Sequence, residues 1–191
     1  MNWEAKIFQN HSNSSFEKLS LEIFQFQAKN NHIYKTYLRY LGVNPDEVKQ
    51  INQIPYLPIE FFKQENVVCK PNNIDTVFTS SGTSGMQSKH IIHDIGIYEK
   101  SFTLGFEYFY GNINDYTVLA LLPSYLERSG SSLIYMCEKL IKRSEKKESG
   151  FYLYDHKELK DLLLELECQN RKTLLIGVSF ALLDFVEKHP V

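Results

Sequence analysis

Cysteine is scarce in this sequence, and the few residues present form no recognisable pattern. Cys69, Cys137 and Cys168 are the three cysteines of a 191-residue chain, and they stand far apart. An odd number at this spacing matches neither a disulfide framework nor the spacing of metal ligands. It is typical of a protein kept in a reducing compartment, and we interpret all three cysteines as buried apolar side chains.

Long apolar runs are also missing. No stretch of about 18 consecutive apolar residues occurs, so no membrane-spanning helix is predicted. The first four residues do not begin the charged region and apolar region of a secretory leader. Together with the cysteine pattern, these absences predict a cytoplasmic protein.

The chain lacks an excess of positive charge as well. It has 21 Lys and Arg residues against 23 Asp and Glu residues, which gives a formal net charge of −2. Nucleic-acid-binding domains usually carry a basic patch, so nucleic acid is not favoured as a partner. The sequence also has no Ser-His-Asp order and no nucleophile elbow, and this disfavours a hydrolase.

Helical patterns occupy the first part of the chain. Ser14 and Glu17 have the spacing of a capping box, and apolar residues at helical spacing follow from Phe16. A second amphipathic pattern starts near Asn30 and is stopped by Gly42. We therefore predict that residues 1–50 form an N-terminal helical region.

From residue 51 onward, apolar strand-like runs alternate with amphipathic helical patterns. Strands that are apolar throughout are typical of a sheet that helices cover on both faces. We predict one α/β region over residues 51–191, with a mixed, largely parallel sheet covered by helices on both faces. The predicted strands are residues 76–78, 90–92, 116–122, 151–154 and 173–178.

The stretch from residue 78 to residue 90 carries the strongest functional signal. Seven small or hydroxylated residues, 79–85, separate two apolar strand-like runs. Gly82 and Gly85 let the backbone curl, so that successive amides can form a concave nest for an anion. Hydroxyl donors and the cation of Lys89 would add to such a site. The spacing is neither a Walker A loop nor a dinucleotide fingerprint, and composition alone favours an ordinary surface turn.

Two other features have competing interpretations. His90 and His93 lie three residues apart, on opposite faces of a strand, so a hydrogen-bonding or surface role is favoured over a shared metal. Residues 123–130 form a second loop after a predicted strand. Because ligands bind at the carboxyl ends of parallel strands, we expect this loop to lie beside the first.

These stretches together resemble a known family. Residues 78–85, Phe-Thr-Ser-Ser-Gly-Thr-Ser-Gly, are similar to the phosphate-binding loop of adenylate-forming enzymes such as acyl-CoA synthetases. Residues 55–63, 121–133 and, more weakly, 150–153 add to the resemblance in chain order. The similarity is to the acyl-protein synthetase (LuxE-type) branch of that superfamily, and to its N-terminal part.

The resemblance implies an adenylate-forming fold and a two-step reaction. A carboxylic acid, expected to be a fatty acid, attacks the α-phosphate of ATP, with magnesium bound, to give an acyl-adenylate and pyrophosphate. The acyl group then passes to a thiol of a protein or of coenzyme A. The resemblance assigns no catalytic residue and no metal ligand.

The resemblance also implies two sets of binding residues. The phosphates of ATP would be bound by Ser80, Ser81, Gly82, Thr83, Ser84, Gly85 and Lys89. The acyl substrate would be bound by Pro123, Ser124, Tyr125 and Gly130.

The later motifs of the family, an adenine and metal segment and a C-terminal lysine, have no counterpart in this sequence. We therefore expect the chain to be an N-terminal fragment that cannot complete the reaction alone. Two alternatives stay open: a non-catalytic binding module of the same fold, and an aryl- or acyl-CoA ligase.

Overall fold

The computed structural model describes residues 3–9, 12–70, 72–80, 87–122, 130–153 and 155–189. The chain divides into two compact units, Met1–Ile97 and Tyr98–Val191, and the division falls inside the helix Ile95–Tyr110. The predicted division into residues 1–50 and 51–191 rests on motif content and stays a prediction.

The first unit begins with three helices, and the second and third of them form its core. They are α1 (Trp3–Phe8), α2 (Asn13–Asn30) and α3 (His32–Tyr40). Asn31 joins the two longer helices, because its buried side chain accepts the backbone N–H of Tyr34 at 3.1 Å. The core side chains are Phe24, Ala28, Tyr34, Leu38 and Val48.

The cap of α2 differs from the predicted one. Ser12, not Ser14, is the capping residue: its side-chain oxygen accepts the Ser15 N–H at 3.2 Å, and the Ser15 oxygen accepts the Ser12 N–H at 3.1 Å. Ser15 thus takes the place that glutamate or glutamine usually fills in a capping box. The helix starts earlier than predicted, and Phe16 is 58% exposed instead of facing the core.

A proline-containing segment leads from this core toward the hairpin. Residues 54–58 are neither helix nor strand, as the two prolines predict, and α4 (Phe61–Gln64) follows. Tyr34 donates its hydroxyl to the carbonyl of Pro55 at 2.6 Å. Tyr37 contacts Phe61 edge-to-face, with 5.8 Å between ring centroids. These contacts hold the segment and α4 against α3.

The first unit ends with an antiparallel hairpin and the start of a helix. The elements are β1 (Thr76–Thr79), β2 (Lys89–Ile92) and α5 (Ile95–Tyr110), which continues into the second unit.

The second unit contains a three-stranded parallel sheet. Its strands are β3 (Thr117–Leu121), β4 (Gly150–Phe151) and β5 (Thr173–Gly177), in the order β4-β3-β5. Every residue of β3 is buried, as expected for a central strand that is apolar along its length.

Helices cover both faces of this sheet. Because side chains alternate along a strand, Leu119 and Leu121 point to one face, where they pack against α7 (His156–Cys168) and α8 (Ser179–Lys188). Val118 and Ala120 point to the other face, toward α5 and α6 (Ser132–Ser144). The prediction of a parallel sheet covered on both faces is confirmed in this unit. With the antiparallel hairpin, the chain has a mixed α/β structure.

The cysteines differ in burial, although all three are predicted to be buried. Cys137 is fully buried beside Ala120, and burial raises the pKa of its thiol to about 11. Cys69 is half-buried and donates to the side-chain oxygen of Gln27 at 3.2 Å. Cys168, the last residue of α7, is exposed, so the prediction is wrong for this residue.

The helices of the described ranges include no membrane span. None of the helices in them is both long enough and apolar enough to cross a bilayer.

Candidate phosphate-binding site

The hairpin confirms the predicted arrangement of two strands joined by the Ser/Thr/Gly loop. β1 and β2 pair antiparallel, and Thr79 opposite Lys89 is the last pair before the loop. Residues 80–88 therefore connect the two strands. Residues 81–86 within this connection lie outside the described residues.

Two serines close the base of the loop. The N–H of Ser80 donates to the carbonyl of Ser88 at 3.1 Å, and the N–H of Ser88 donates to the Ser80 side-chain oxygen at 2.9 Å. Ser88 is buried, with 7% of its surface exposed, whereas Ser80 is exposed. The pair extends the strand pairing by one step and fixes where the loop starts and ends. We call Ser80 and Ser88 the loop neck.

An aromatic stack lies below the loop neck. The Oγ of Ser88 and the Nε2 of His90 are 3.4 Å apart. The ring of His90 stacks on the ring of Phe62, with 4.9 Å between centroids and 21° between planes. Phe78, directly opposite His90 in the hairpin, is also buried. One face of the hairpin is thus anchored by α4, through Phe62.

Lys89 points to the other face of the hairpin. It is exposed and stands between Ser88 and His90 at the start of β2. Since side chains alternate along a strand, its ammonium group projects away from the Phe62 stack. The structure therefore places Ser80 and Lys89 at the two ends of the loop. Their predicted contacts with phosphate stay predictions.

The remaining predicted phosphate ligands are five consecutive residues of the loop. Ser81, Gly82, Thr83, Ser84 and Gly85 lie outside the described residues.

The N-terminus of α5 follows the end of the hairpin opposite the loop, and two of its first backbone N–H groups have hydrogen-bond partners within the chain. The carboxylate of Asp75 accepts the N–H of Ile95 at 3.0 Å, and that of Asp94 accepts the N–H of Gly96 at 3.0 Å. The first amides of a helix are a common anion site, but here two carboxylates bind them. We therefore place the candidate site at the hairpin loop and not at this helix.

His90 and His93 have separate hydrogen-bond partners, which confirms the hydrogen-bonding role predicted for them. His90 contacts Ser88, whereas the Nδ1 of His93 lies 3.0 Å from the carbonyl oxygen of Asn73. That carbonyl can only accept, so the His93 Nδ1 carries the proton in this contact.

The second predicted stretch belongs to the second unit. Of its residues, Pro123, Ser124 and Tyr125 lie outside the described residues. Gly130 has a φ of +86°, a left-handed conformation that favours glycine. Ser131 follows as the N-cap of α6 and accepts the N–H of Ile134 at 3.3 Å. The predicted proximity of this stretch to the hairpin loop stays a prediction.

Sequence reasoning missed the residues that support the loop. The sequence alone assigns neither Phe62 nor Ser88 a role in the phosphate site. One signal was present: a serine flanks each end of the segment 81–87, and a histidine follows two residues later. The stacking partner of that histidine lies 28 positions earlier, and no local pattern reveals it.

Comparison with known proteins identifies one family model and two relatives that match parts of this chain. The family model for the acyl-protein synthetase LuxE matches residues 6–115, more than half of the chain. A long-chain-fatty-acid–luciferin-component ligase of Vibrio harveyi is 35% identical over 66 residues, which are 34% of this chain and 17% of the relative. A protein of the same name from Photorhabdus luminescens is 34% identical over 74 residues, which are 38% of this chain and 63% of the relative.

Each match covers only part of this chain and only part of the relative. The chain matches less than two thirds of the length of either one. No solved structure matches the chain. The family match nevertheless spans the helical core, α4, the whole hairpin and α5, so the chain belongs to the LuxE acyl-protein synthetase family.

Proposed function

We propose that this chain binds the phosphates of ATP in an enzyme that activates a carboxylic acid as an acyl-adenylate. The enzyme would then transfer the acyl group to a protein thiol. The observation that carries the proposal is the hairpin loop, which lies within the region matched by the LuxE family and is closed at its base by Ser80 and Ser88.

The described ends of the loop suit a polyphosphate. The Ser80 oxygen accepts one N–H, and its own hydroxyl hydrogen can still donate to an anion. Lys89 provides an exposed cation at the other end. When an acid attacks the α-phosphate, the departing pyrophosphate gains negative charge. Donors already aimed at that charge would lower the barrier.

Several further assignments belong to the same proposal. The fold would be that of the adenylate-forming superfamily, with Ser81, Gly82, Thr83, Ser84 and Gly85 completing the phosphate site. Pro123, Ser124, Tyr125 and Gly130 would border the acyl group. Support comes from the covered parallel sheet and from the glycine-favouring backbone of Gly130.

ATP would supply the phosphoanhydride bond, and magnesium would be bound with it. The described residues include no group of three or more His, Cys, Asp or Glu side chains that could hold a metal ion. We assign no protein ligand to magnesium for this reason.

The acid is proposed to be a long-chain fatty acid and the acceptor a protein. The fatty acid is supported by the names of the two relatives, which are long-chain-fatty-acid–luciferin-component ligases. The protein acceptor is supported by the description of the family, acyl-protein synthetase. Coenzyme A remains the alternative thiol.

The test is ATP–pyrophosphate exchange by the natural gene product with a panel of fatty and aryl acids. Acid-dependent exchange should be lost, by about 100-fold or more, in a Thr83→Ala, Ser84→Ala double variant, because each removed donor costs a large factor in such sites. A Lys49→Gln variant serves as control, since Lys49 is exposed and lies outside the hairpin.

Other outcomes distinguish the alternatives. A folded protein without exchange on any acid would support a non-catalytic binding module. Exchange followed by acyl transfer to coenzyme A, and not to protein, would support a CoA ligase.

A further inference from the structure

We propose that His90 is a positioning residue for the phosphate loop, acting through Ser88 and held in place by Phe62. The phosphate part of this inference rests on the proposed function. The part that concerns the loop neck can be tested without activity.

Three consecutive contacts connect α4 to the loop neck. Phe62 stacks on His90 at 4.9 Å, His90 lies 3.4 Å from the Ser88 hydroxyl, and the Ser88 backbone N–H binds Ser80 at 2.9 Å. Ser88 also accepts the Ser80 N–H at 3.1 Å. The two ends of the loop are therefore bonded to each other. Ser88 also contacts His90, whose ring is held by stacking on Phe62.

The contact between Ser88 and His90 matters because the Ser88 side chain is buried. Ser88 is 7% exposed, so its hydroxyl has little access to water and needs a partner within the protein. His90 offers one, either as a donor or as an acceptor depending on its tautomer. The hydroxyl fixes the direction of the Ser88 side chain, while the backbone of the same residue closes the loop.

Histidine combines two properties that this position uses. Its flat ring stacks on Phe62, and its ring nitrogen reaches Ser88. Phenylalanine would keep the stacking without the nitrogen, and glutamine would keep a polar atom without the ring. Comparing the two variants separates the roles.

A rigid neck matters because donors stabilise a transition state only if they are already oriented. The loop begins at Ser80 and returns at Ser88, next to Lys89. Movement of the neck would displace the Ser80 hydroxyl and the Lys89 cation together. We therefore expect loss of the His90 contact to weaken ATP binding more than it weakens fatty-acid binding.

The first measurement is amide hydrogen exchange at Ser80 and Ser88 in the 191-residue chain. In His90→Phe and in Ser88→Ala, both amides should exchange about 2- to 10-fold faster, the range expected for the loss of one hydrogen bond. His90→Gln should restore part of the protection that His90→Phe loses. His93→Phe is the matched control, because His93 follows the same strand but binds Asn73.

Unchanged exchange at both amides in His90→Phe would overturn the proposal. So would equal acceleration in the His93→Phe control, because the effect would then be a general loosening of the hairpin.

The second measurement is ATP–pyrophosphate exchange by the natural gene product with the same variants. The KM for ATP should rise about 2- to 10-fold in His90→Phe, and the KM for the fatty acid should stay unchanged. Equal increases in both KM values would overturn the link to the phosphate site. Faster amide exchange in the His90→Phe variant would support the neck assignment even if the wild-type protein neither binds ATP nor catalyses ATP–pyrophosphate exchange. That second result would contradict the proposed function alone.

Discussion

The central strand β3 and the hairpin β1-β2 are both short, yet they bury their side chains to different extents. Val118, Leu119 and Leu121 of β3 are 0% exposed. In the hairpin, Val77 is 36% exposed and Lys89 is exposed as well. β3 has helices on both of its faces, whereas α4 anchors one face of the hairpin.

This difference separates a stabilising element from the element that we propose to bind phosphate. Apolar burial contributes stability in proportion to the area removed from water, and β3 removes nearly all of its side-chain area. The hairpin instead uses directional contacts: Ser80 and Ser88 bond to each other at the two ends of the loop, and His90 contacts Ser88. Function is commonly carried by such loops on rigid supports. Mutations in the two regions should therefore differ in kind.

The largest effect is expected from removing a core side chain of β3. Leu119→Ala should lower the free energy of unfolding by about 3 kcal/mol, because a buried leucine loses its apolar contacts and leaves a cavity. Urea titration followed by circular dichroism measures this change. Leu183→Ala on α8 is the control: Leu183 is 64% exposed, and its variant should stay within about 0.5 kcal/mol of wild type. Similar losses in both variants would contradict the assignment of β3 as the core.

A somewhat smaller effect is expected where the end of β5 approaches α8. A Cβ on Gly177 would lie 2.7 Å from the Cγ of Leu182 and 3.2 Å from the carbonyl oxygen of Leu121. Gly177→Ala should therefore cost about 1–3 kcal/mol of unfolding free energy through overpacking. In a double-mutant cycle, adding Leu182→Ala should relieve part of that cost. Strict additivity of the two changes would show that the close approach to Leu182 is not its cause.

In the hairpin, the corresponding change should affect binding and not stability. Lys89→Gln should raise the KM for ATP about tenfold in ATP–pyrophosphate exchange, because a charged hydrogen bond contributes about 1.5–3 kcal/mol. The melting temperature should not move, since the side chain is exposed. Lys49→Gln is the matched control. A tenfold effect on KM for the fatty acid as well would place Lys89 outside the phosphate site.

The sequence predicts the buried core around β3 better than it predicts the contacts at the hairpin. The strand Thr117–Leu121 was predictable because a continuous apolar run occupies residues 116–122. The helix α7 was predictable for a similar reason, and Leu159 and Leu166 of its apolar stripe are buried. In both cases the local pattern of apolar residues, a continuous run or a helical stripe, indicates which side chains are buried.

The candidate site was less predictable because its contacts join distant positions. The loop and its two strands follow from composition, but the stacking of Phe62 on His90 depends on how α4 returns to the hairpin. The α2 cap shows a second limit: Ser12 and Ser14 both fit a capping pattern, and only the backbone distinguishes them. The exposure of Cys168 likewise depends on where α7 ends.

The smallest predicted effect concerns an ion pair at the start of the sheet. Arg171 donates two parallel hydrogen bonds to the carboxylate of Glu148, at 2.7 and 2.9 Å, and a third to the Thr117 hydroxyl at 3.1 Å. The hydrogen bonds from Arg171 lower the pKa of Glu148 from 4.5 to about 2. The carboxylate is therefore harder to protonate in the folded chain than in the unfolded chain.

The sign of the pH dependence follows from this difference. Well above pH 4.5 the carboxylate is ionised in both states, and its contribution to stability is fully present. As the pH falls from about 5 to about 2, the unfolded chain binds a proton first, so that contribution is lost. Urea midpoints at pH 7, 5, 4 and 3 should therefore fall less steeply in Glu148→Gln than in wild type. The exposed Glu138→Gln variant should retain the wild-type slope.

The effect of Glu148→Gln on the pH dependence of stability should be small because the ion pair stays in contact with water. The side chains of Arg171 and Glu148 are 29% and 17% exposed. Solvent and salt screen such a pair, so added salt should reduce the difference between Glu148→Gln and wild type. The unfolding free energy lost in Leu119→Ala should not respond to salt in this way, because it comes from apolar packing. Equal salt responses of the two variants would contradict the distinction between the buried strand and its polar edge.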